Sequence, residues 1–411
     1  MAAENSLHLS SANRGWSVTF AGLGINLALG VLYAWSIFKD KIQETFGWDP
    51  ARLNDPYAVC CLVFAFAMIL AGRCQDKLGP RLTASIGGLL VGAGFYIASR
   101  DTGYWSWVVG FGVFAGLGMG FGYSSATPPA LKWFPPAKTG LIAGLVVAGF
   151  GMAPVYLSPL TKHLVATSVP YAMSVYSIAF AVAVIVLAQF LLNPPMDYVV
   201  GGGPAAVGGG RPNTVNASPS EMLRTPTFWL LWVLYFIGSG AGLMVIGSIN
   251  KLATKSMGVD LAFVAVAVLA VGNATGRIAA GLLSDKIGRR WTLTLVLLIQ
   301  AALMFAAISI TAASGARVAI LLLAALIGAN YGANLSLFPS FAKDLWGLKN
   351  FGMNYGVLFT AWGVGGFVLP RAQQMLTAGS KDDYKSSFIM AGTLLIVGGA
   401  LTFLIKGKKA E

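Results

Sequence analysis

Apolar residues in this chain fall into long runs, and polar residues are concentrated in the short segments between them. A helix needs about 20 consecutive, mostly apolar residues to cross the hydrocarbon core of a bilayer. The pattern predicts an all-α membrane protein with twelve membrane-spanning helices. The predicted spans lie at about 15–38, 56–75, 81–99, 105–131, 139–162 and 170–192, and again at about 225–250, 261–283, 291–312, 317–341, 352–376 and 386–405.

The twelve runs form two groups of six, separated by a segment rich in glycine and proline. This segment contains the sequence GGGPAAVGGGRPNT, which cannot sustain a helix and is typical of a flexible linker. We therefore expect an N-terminal six-helix half at 1–192, a linker at 193–224 and a C-terminal six-helix half at 225–411.

The composition supports a membrane protein, because 56% of the residues are hydrophobic and only 10% are charged. A net charge of +13 would suggest a nucleic-acid partner in a soluble domain, but the lysines and arginines here cluster in loops between apolar runs. The lipid bilayer is the expected partner. Sixteen basic residues fall on the side that holds both termini and eleven on the other side. The positive-inside rule then predicts cytoplasmic termini, in a cell membrane of the bacterial inner-membrane type.

The cysteines give no sign of a disulfide or a metal site. Cys60 and Cys61 are adjacent inside one apolar run, and Cys74 stands apart near a charged turn. With no nucleophile–base pair or metal cluster in the sequence either, we expect no cofactor and no enzymatic activity. Residues 1–13 lack the features of a signal peptide, so the first run is expected to remain in the mature chain, which we expect to function as a monomer.

One ten-residue pattern, G-x-x-x-D-K-x-G-x-R, occurs twice. It ends the second predicted span at 72–81 and the eighth at 281–290, an offset of 285 − 76 = 209 residues. Tyr123 and Tyr331 are separated by nearly the same offset, 331 − 123 = 208. A duplicated six-span unit places a binding site near the membrane midplane, between two halves that rock about it.

Arg277 is a charged residue inside the eighth predicted span. It precedes Asp285 by eight residues, so at about 1.5 Å per helical residue it lies roughly 12 Å inside the charged turn, near the middle of a ~30 Å hydrocarbon core. All fifteen acidic residues fall in loops or at span ends of this arrangement. A buried arginine without a protein carboxylate favours a site whose anion arrives as a substrate, and one cation is matched by one carboxylate. Structural packing against backbone carbonyls is the alternative.

Further candidates surround this arginine in the predicted arrangement. Asn273 shares its helix face and would either bind the substrate or orient the guanidinium. Tyr123 and Tyr331 carry hydroxyls that would reach a carboxylate or a 2-hydroxyl group, or would make structural hydrogen bonds. Leu145, Phe359 and Cys60 are candidate apolar walls, although each would serve equally well as core.

The duplicated loop resembles the signature loop of the major facilitator superfamily, which implies a twelve-helix fold of two pseudo-symmetric halves. In that family the acidic and basic residues of the loop lock neighbouring helices on the cytoplasmic side. The resemblance implies that gating role for Asp76, Arg81, Asp285 and Arg289.

At a finer level, the segments KWFP and KTGLIAG at 132–144 and LFTAWG at 358–363 are similar to the oxalate/formate antiporter branch. Arg277 resembles the arginine shared by that branch and by proton-coupled monocarboxylate transporters. The chain departs from those families at three places. Trp362 replaces a second cation of the oxalate exchangers, Asn273 replaces an aspartate of animal-type monocarboxylate carriers, and the region of their first-span lysine reads YAWSI at 33–37.

The residues and the resemblance together predict a secondary transporter of short monocarboxylates such as lactate. Proton symport is the expected mode, because an anion entering alone would move against an inside-negative potential at about 2.3 kcal/mol per charge per 100 mV. The alternative is a carboxylate exchanger. A receptor without transport is a further class, which the absence of an appended soluble domain disfavours.

Overall fold

The computed structural model describes residues 2–49, 52–53, 55–195, 198, 216–257, 259–312, 316–377 and 384–405, and it is helical with no strand in that part of the chain. The glycine-rich sequence of the expected linker, at 201–214, lies outside these residues. The first half contains α1 (Ala2–Leu29), α2 (Trp35–Phe46), α3 (Asp55–Leu78), α4 (Pro80–Arg100), α5 (Tyr104–Trp107), α6 (Gly116–Lys132), α7 (Thr139–Thr167) and α8 (Val169–Ala188).

The short helix α9 (Pro219–Leu223) lies inside the expected linker. The second half contains α10 (Pro226–Met257), α11 (Val259–Ile287), α12 (Arg289–Ala312), α13 (Arg317–Trp346), α14 (Phe351–Thr377) and α15 (Lys385–Leu401). The helix starts follow local rules. Pro80 opens α4 after Gly79, whose φ of 88° requires glycine. Ser168 caps α8 by accepting a hydrogen bond from the Tyr171 amide.

Two of the membrane crossings are built from more than one regular segment. A 3-10 turn at Gly30–Ala34 joins α1 to α2, and a π-helical segment at Val108–Ala115 joins α5 to α6. Counted this way, the described helices form twelve crossings. Eleven are long and apolar enough to span a membrane by composition alone. The exception is α14, whose 27 residues are long enough but include Asn354, Arg371 and Gln373. The twelve-helix fold predicted from the sequence is therefore confirmed.

Paired glycines bring α11 and α13 into close contact within the second half. Gly272 and Gly276 on α11 face Gly328 and Gly332 on α13, and a Cβ on any of the four would clash with the backbone of the opposite helix. On each helix the two glycines are four residues apart and so lie on one face, which lets the two backbones touch where the helices cross. This crossing fixes the position of Arg277, one residue beyond Gly276.

Similar crossings join the two halves. On α7, Gly140 and Gly144 pack against the backbone of Gly281 and Arg277 of α11. On α14, Gly352 packs against Gly72 of α3, and one turn later Gly356 packs against the Met68 carbonyl of α3. Each half therefore contributes one glycine-bearing helix and one helix that carries a copy of the duplicated loop.

Both described ends of the linker are docked. The Tyr198 ring packs on Trp133 of the first half, with ring centroids 4.9 Å apart. At the other end, the Ala217 carbonyl accepts hydrogen bonds from the side-chain amides of Asn350 and Asn354, at 3.2 and 3.0 Å. Ser218 and Glu221 form a capping box, and its hydrogen bonds lower the pKa of the Glu221 carboxyl. We call the membrane face at which these linker ends lie the linker face.

The α11–α13 crossing predicts a stability defect when Gly276 is replaced by alanine. The new Cβ would meet the Ala329 carbonyl oxygen, and overpacking of this kind costs about 1–3 kcal/mol. We expect the melting temperature of the purified protein in detergent to fall by several degrees. Gly247→Ala is the matched control, because its Cβ would meet nothing within 4 Å. Equal melting temperatures for the two variants would contradict the packing assigned to Gly276.

Candidate functional site

Arg277 is fully buried, at the point where α11 meets α13 on one side and α7 on the other. Its Nε donates to the Asn273 Oδ1 at 3.0 Å. One terminal nitrogen donates to the backbone carbonyl of Val147 on α7, and the other, NH2, has no hydrogen-bond partner among the described residues. Asn273 therefore accepts a hydrogen bond from the guanidinium, a contact that its predicted orienting role requires, and both predicted roles stay predictions.

No carboxylate neutralises this arginine within the described part of the chain. The ion pairs there lie toward the ends of helices, as in the Arg289–Asp285 contact of 2.5 Å and the Arg289–Asp344 contact of 3.0 Å. A buried positive charge without an acid is costly, and its acceptors here are two neutral oxygens. The site can therefore hold one more anionic group if space opens beside NH2.

A small cavity of about 30 Å³ lies beside Asn273, on the side of Arg277 away from the linker face. It is bounded by residues from both halves, which are Tyr33, Gly151, Pro154, Ile246, Val266, Leu269, Ala270 and Asn273. A volume of this size holds about one water molecule. Arg277 itself is fully buried, so a molecule larger than water reaches it only if the surrounding helices move apart.

A chain of hydrogen bonds crosses between the halves close to the arginine. The Tyr331 hydroxyl lies 2.8 Å from the Tyr33 hydroxyl and accepts a hydrogen bond from the Trp362 indole nitrogen at 2.9 Å. Tyr33, in the 3-10 turn of the first crossing, also lines the small cavity together with Asn273. The sequence prediction included Tyr331 and missed Tyr33. The sequence did point to Tyr33, because it lies in the region where the monocarboxylate carriers that this chain resembles have a lysine.

Aromatic rings fill the space between the halves next to this chain. Phe359 packs on Tyr123 and Trp362, with ring centroids 5.5 and 5.0 Å apart. Phe64 of α3 contacts the same three rings, and Phe150 of α7 contacts Phe64 and Tyr123. We call Phe64, Tyr123, Phe150, Phe359 and Trp362 the aromatic cluster. Two predicted site residues, Tyr123 and Phe359, thus lie together in this cluster, and their predicted roles toward a substrate stay predictions.

The other two predicted wall residues, Cys60 and Leu145, are not members of this cluster. The Cys60 sulfur contacts the Met119 sulfur at 3.8 Å, between α3 and α6. Leu145 is half-buried on α7, one residue after Gly144. Cys60 and Leu145 stay predictions.

The duplicated loops hold the two halves together at the linker face. The Asp285 carboxylate of α11 accepts hydrogen bonds from the Gly140 and Leu141 amides, both at 2.9 Å, in the first turn of α7. The Asp76 carboxylate of α3 does the same at α14, where the Gly352 and Met353 amides donate at 3.1 and 3.0 Å. A carboxylate at a helix N-terminus satisfies free amides and interacts favourably with the helix dipole.

The two copies differ in their cations. Arg289 bonds Asp285, Ser284 and Asp344, which ties its loop to α13 as well. In the first copy the equivalent position, 289 − 209 = 80, is Pro80. Arg81 is exposed and has no ion pair within the described residues. The structure therefore brings three of the four predicted gate residues to the contact, and Arg81 remains a prediction.

Sequence comparison agrees with this architecture. The sequence profile of the Major Facilitator Superfamily matches residues 15–370 and, in a second match, 261–410. The chain belongs to this superfamily. It is a multi-pass membrane protein with a transporter fold, and the superfamily's members are transporters and not enzymes.

Three relatives cover most of the chain at low identity. The chain is 26% identical over 358 residues to an uncharacterised superfamily transporter of Escherichia coli, YhjX, covering 85% of each chain. It is 27% identical over 354 residues to the oxalate:formate antiporter of Oxalobacter formigenes, covering 85% of this chain and 81% of the relative. It is 27% identical over 373 residues to the apicoplast pyruvate carrier 1 of Toxoplasma gondii, covering 75% and 67%.

The fold also matches solved structures. The proton:xylose symporter of the same superfamily, solved with 6-bromo-6-deoxy-D-glucose, superimposes with a TM-score of 0.75 over 96% of each chain at 12% sequence identity. At this identity the likeness supports the fold alone.

The helix-capping contacts predict a local effect for each aspartate. Asp285→Ala should raise the rate of amide hydrogen exchange at residues 140–141 about tenfold or more, because hydrogen bonds to a charged group contribute roughly 1.5–3 kcal/mol. Exchange measured by mass spectrometry on peptides from the start of α7 checks this. Asp76→Ala is the matched variant, and it should raise the exchange rate at residues 352–353 instead of at residues 140–141. Unchanged exchange at 140–141 in Asp285→Ala would show that the carboxylate does not hold α7.

Proposed function

We propose that this protein is a secondary active transporter of short monocarboxylates, and that the substrate carboxylate binds Arg277. The observation that carries the proposal is the buried guanidinium, which has no acidic partner among the described side chains and one unpartnered nitrogen. A carboxylate is the natural ligand for such a group, because two of its oxygens match the planar fork of donors.

Charge balance supports a substrate with one carboxylate. A single buried cation neutralises one carboxylate, and a second would remain uncompensated at a cost of several kcal/mol. Trp362 stands where the resembling oxalate exchangers have their second cation. Its indole N–H bonds Tyr331, and its ring packs on Phe359. The wall opposite the carboxylate is therefore apolar, which suits a short aliphatic chain such as that of lactate.

The relatives support the chemical class. One is named for oxalate and formate and another for pyruvate, and all three are small carboxylates. Their identities to this chain are 27%, so the particular substrate rests on the site itself. Within it we assign carboxylate binding to Arg277, orientation to Asn273, hydroxyl contacts to Tyr331 and Tyr123, and the wall to Phe359.

The gate contacts support alternating access by rocking of the two halves. In our proposal Asp76, Asp285 and Arg289 close the linker face, and substrate release to that side requires both helix N-termini to leave their aspartates. With the linker face in the cytoplasm, as the positive-inside rule predicts, this is the gate to the cell interior.

Proton symport is the transport mode we favour, since co-transport of a proton removes the electrical cost of carrying an anion inward against the membrane potential. Asn273 cannot titrate. The proton then travels on the substrate carboxyl or through a group outside the immediate site. Carboxylate exchange is the second candidate, favoured by the antiporter relative.

The proposal predicts that Arg277→Ala lowers uptake of labelled lactate into proteoliposomes by roughly 100-fold or more, because the charge-assisted bonds to the carboxylate are lost. Arg277→Lys should retain part of the uptake, since it keeps the charge without the planar fork. Arg371→Ala is the control. That arginine is exposed on α14 and lies over the Phe367 ring, and uptake should stay close to that of the unmodified protein. Unimpaired uptake by Arg277→Ala would refute the site.

The mode of transport is tested in vesicles that contain no carboxylate. For symport, acidifying the outside relative to the inside should increase lactate uptake several-fold, because the proton gradient then points inward. Dissipating the gradient with a protonophore should remove the increase. Uptake that occurs only when the vesicles are preloaded with a carboxylate would replace symport by exchange.

A further inference from the structure

One face of α7 approaches the arginine unusually closely. Gly144 has no room for a side chain, because its Cβ would meet the Arg277 carbonyl. One turn later, the carbonyl of Val147 accepts a hydrogen bond from the Arg277 guanidinium. A further turn along, a Cβ on Gly151 would lie 3.1 Å from the Asn273 Cγ and 3.2 Å from the Arg277 Nε. Because Gly144 and Gly151 have no side chains, the guanidinium can approach α7 closely enough to bond the carbonyl oxygen of Val147.

The Arg277–Val147 hydrogen bond joins the two halves of the protein. Val147 belongs to the first half and Arg277 to the second, Arg277 is fully buried, and the cavity next to Asn273 has a volume of only about 30 Å³. A carboxylate cannot fit there while these groups are in contact. This closed packing therefore belongs to a carrier without substrate, and the Val147 carbonyl and the Asn273 Oδ1 provide the acceptors for the arginine.

Charge compensation decides whether such a carrier can change sides unloaded. Burying a guanidinium that has no hydrogen-bond acceptor costs free energy, because the closed site contains little water. A carrier with such a guanidinium would change its open side only when the substrate anion is bound. Neutral oxygens in direct contact lower that cost without carrying a charge of their own. Because they are neutral, an incoming carboxylate can displace the carbonyl.

We propose that the Val147 carbonyl, with the Asn273 side-chain oxygen, takes the place of the substrate carboxylate on Arg277 and lets the unloaded carrier close and reorient. Gly151 is the positioning residue that makes this contact possible. The consequence is net transport in place of obligatory exchange. The inference rests on the proposed function, in which Arg277 binds the substrate carboxylate.

The test compares two fluxes in the same proteoliposomes. Net uptake of labelled lactate into vesicles without internal carboxylate requires the unloaded carrier to return, whereas exchange against internal lactate does not. In the unmodified protein we expect measurable net uptake. In Gly151→Ala the added Cβ pushes the guanidinium away from the Val147 carbonyl, and the ratio of net uptake to exchange should fall about tenfold or more. Gly247→Ala, whose Cβ meets nothing within 4 Å, should keep the original ratio.

Asn273→Ala removes the other neutral acceptor and should lower the same ratio. It decides the question if Gly151→Ala does not reach the membrane folded, as judged by size-exclusion chromatography. The inference would be overturned if the variant that decides the question exchanges lactate with an unchanged ratio of net uptake to exchange. It would also be overturned if the unmodified protein exchanges lactate but shows no net uptake. A failure of the proposed function looks different, because the unmodified protein would then show neither flux or Arg277→Ala would retain both.

Discussion

The structure depends on the burial of one positive charge that no described acid neutralises. Arg277 is completely enclosed, and its hydrogen bonds go to an amide oxygen and a backbone carbonyl. The close helix crossings around it make this burial possible, since glycines at the crossings allow two backbones to lie near enough to supply such an acceptor. The same constraint relates structure to function, because the positive charge of Arg277 has no negative partner among the described residues and an anionic substrate would provide one.

Duplication supplied the framework, and the two copies then diverged at one crossing. Gly144 packs on the Arg277 carbonyl, and Gly356 packs on the Met68 carbonyl in the other copy. The positions correspond, since 277 − 209 = 68, and by the same offset Asn273 corresponds to Phe64. The first copy therefore contributes an apolar surface and part of the aromatic cluster, and the second contributes the charge. A pseudo-symmetric fold thus carries an asymmetric site.

The sequence predicted the spans, the duplicated loops and Arg277, because apolar runs, a repeated motif and a charge inside a span are all visible in one dimension. The contacts of Val147 and Gly151 were not predictable, since a backbone carbonyl has no signature in the sequence. The placement of Cys60 depends on helix phase, where a shift of one residue changes the face. The predicted role of Arg81 depends on register, because the repeat aligns Arg289 with Pro80.

The docking of the linker at both ends bears on how motion passes between the halves. Tyr198 is held by the first half and Asn216 by the second, so only positions 199–215, 17 residues, connect the two anchors. The covalent reach of a chain of that length is at most about 60 Å, whatever path it takes. The halves also meet directly, where Asp285 accepts hydrogen bonds from the start of α7 and Asp76 from the start of α14. A rocking motion therefore passes between the halves through these helix contacts, whatever path the covalent connection takes.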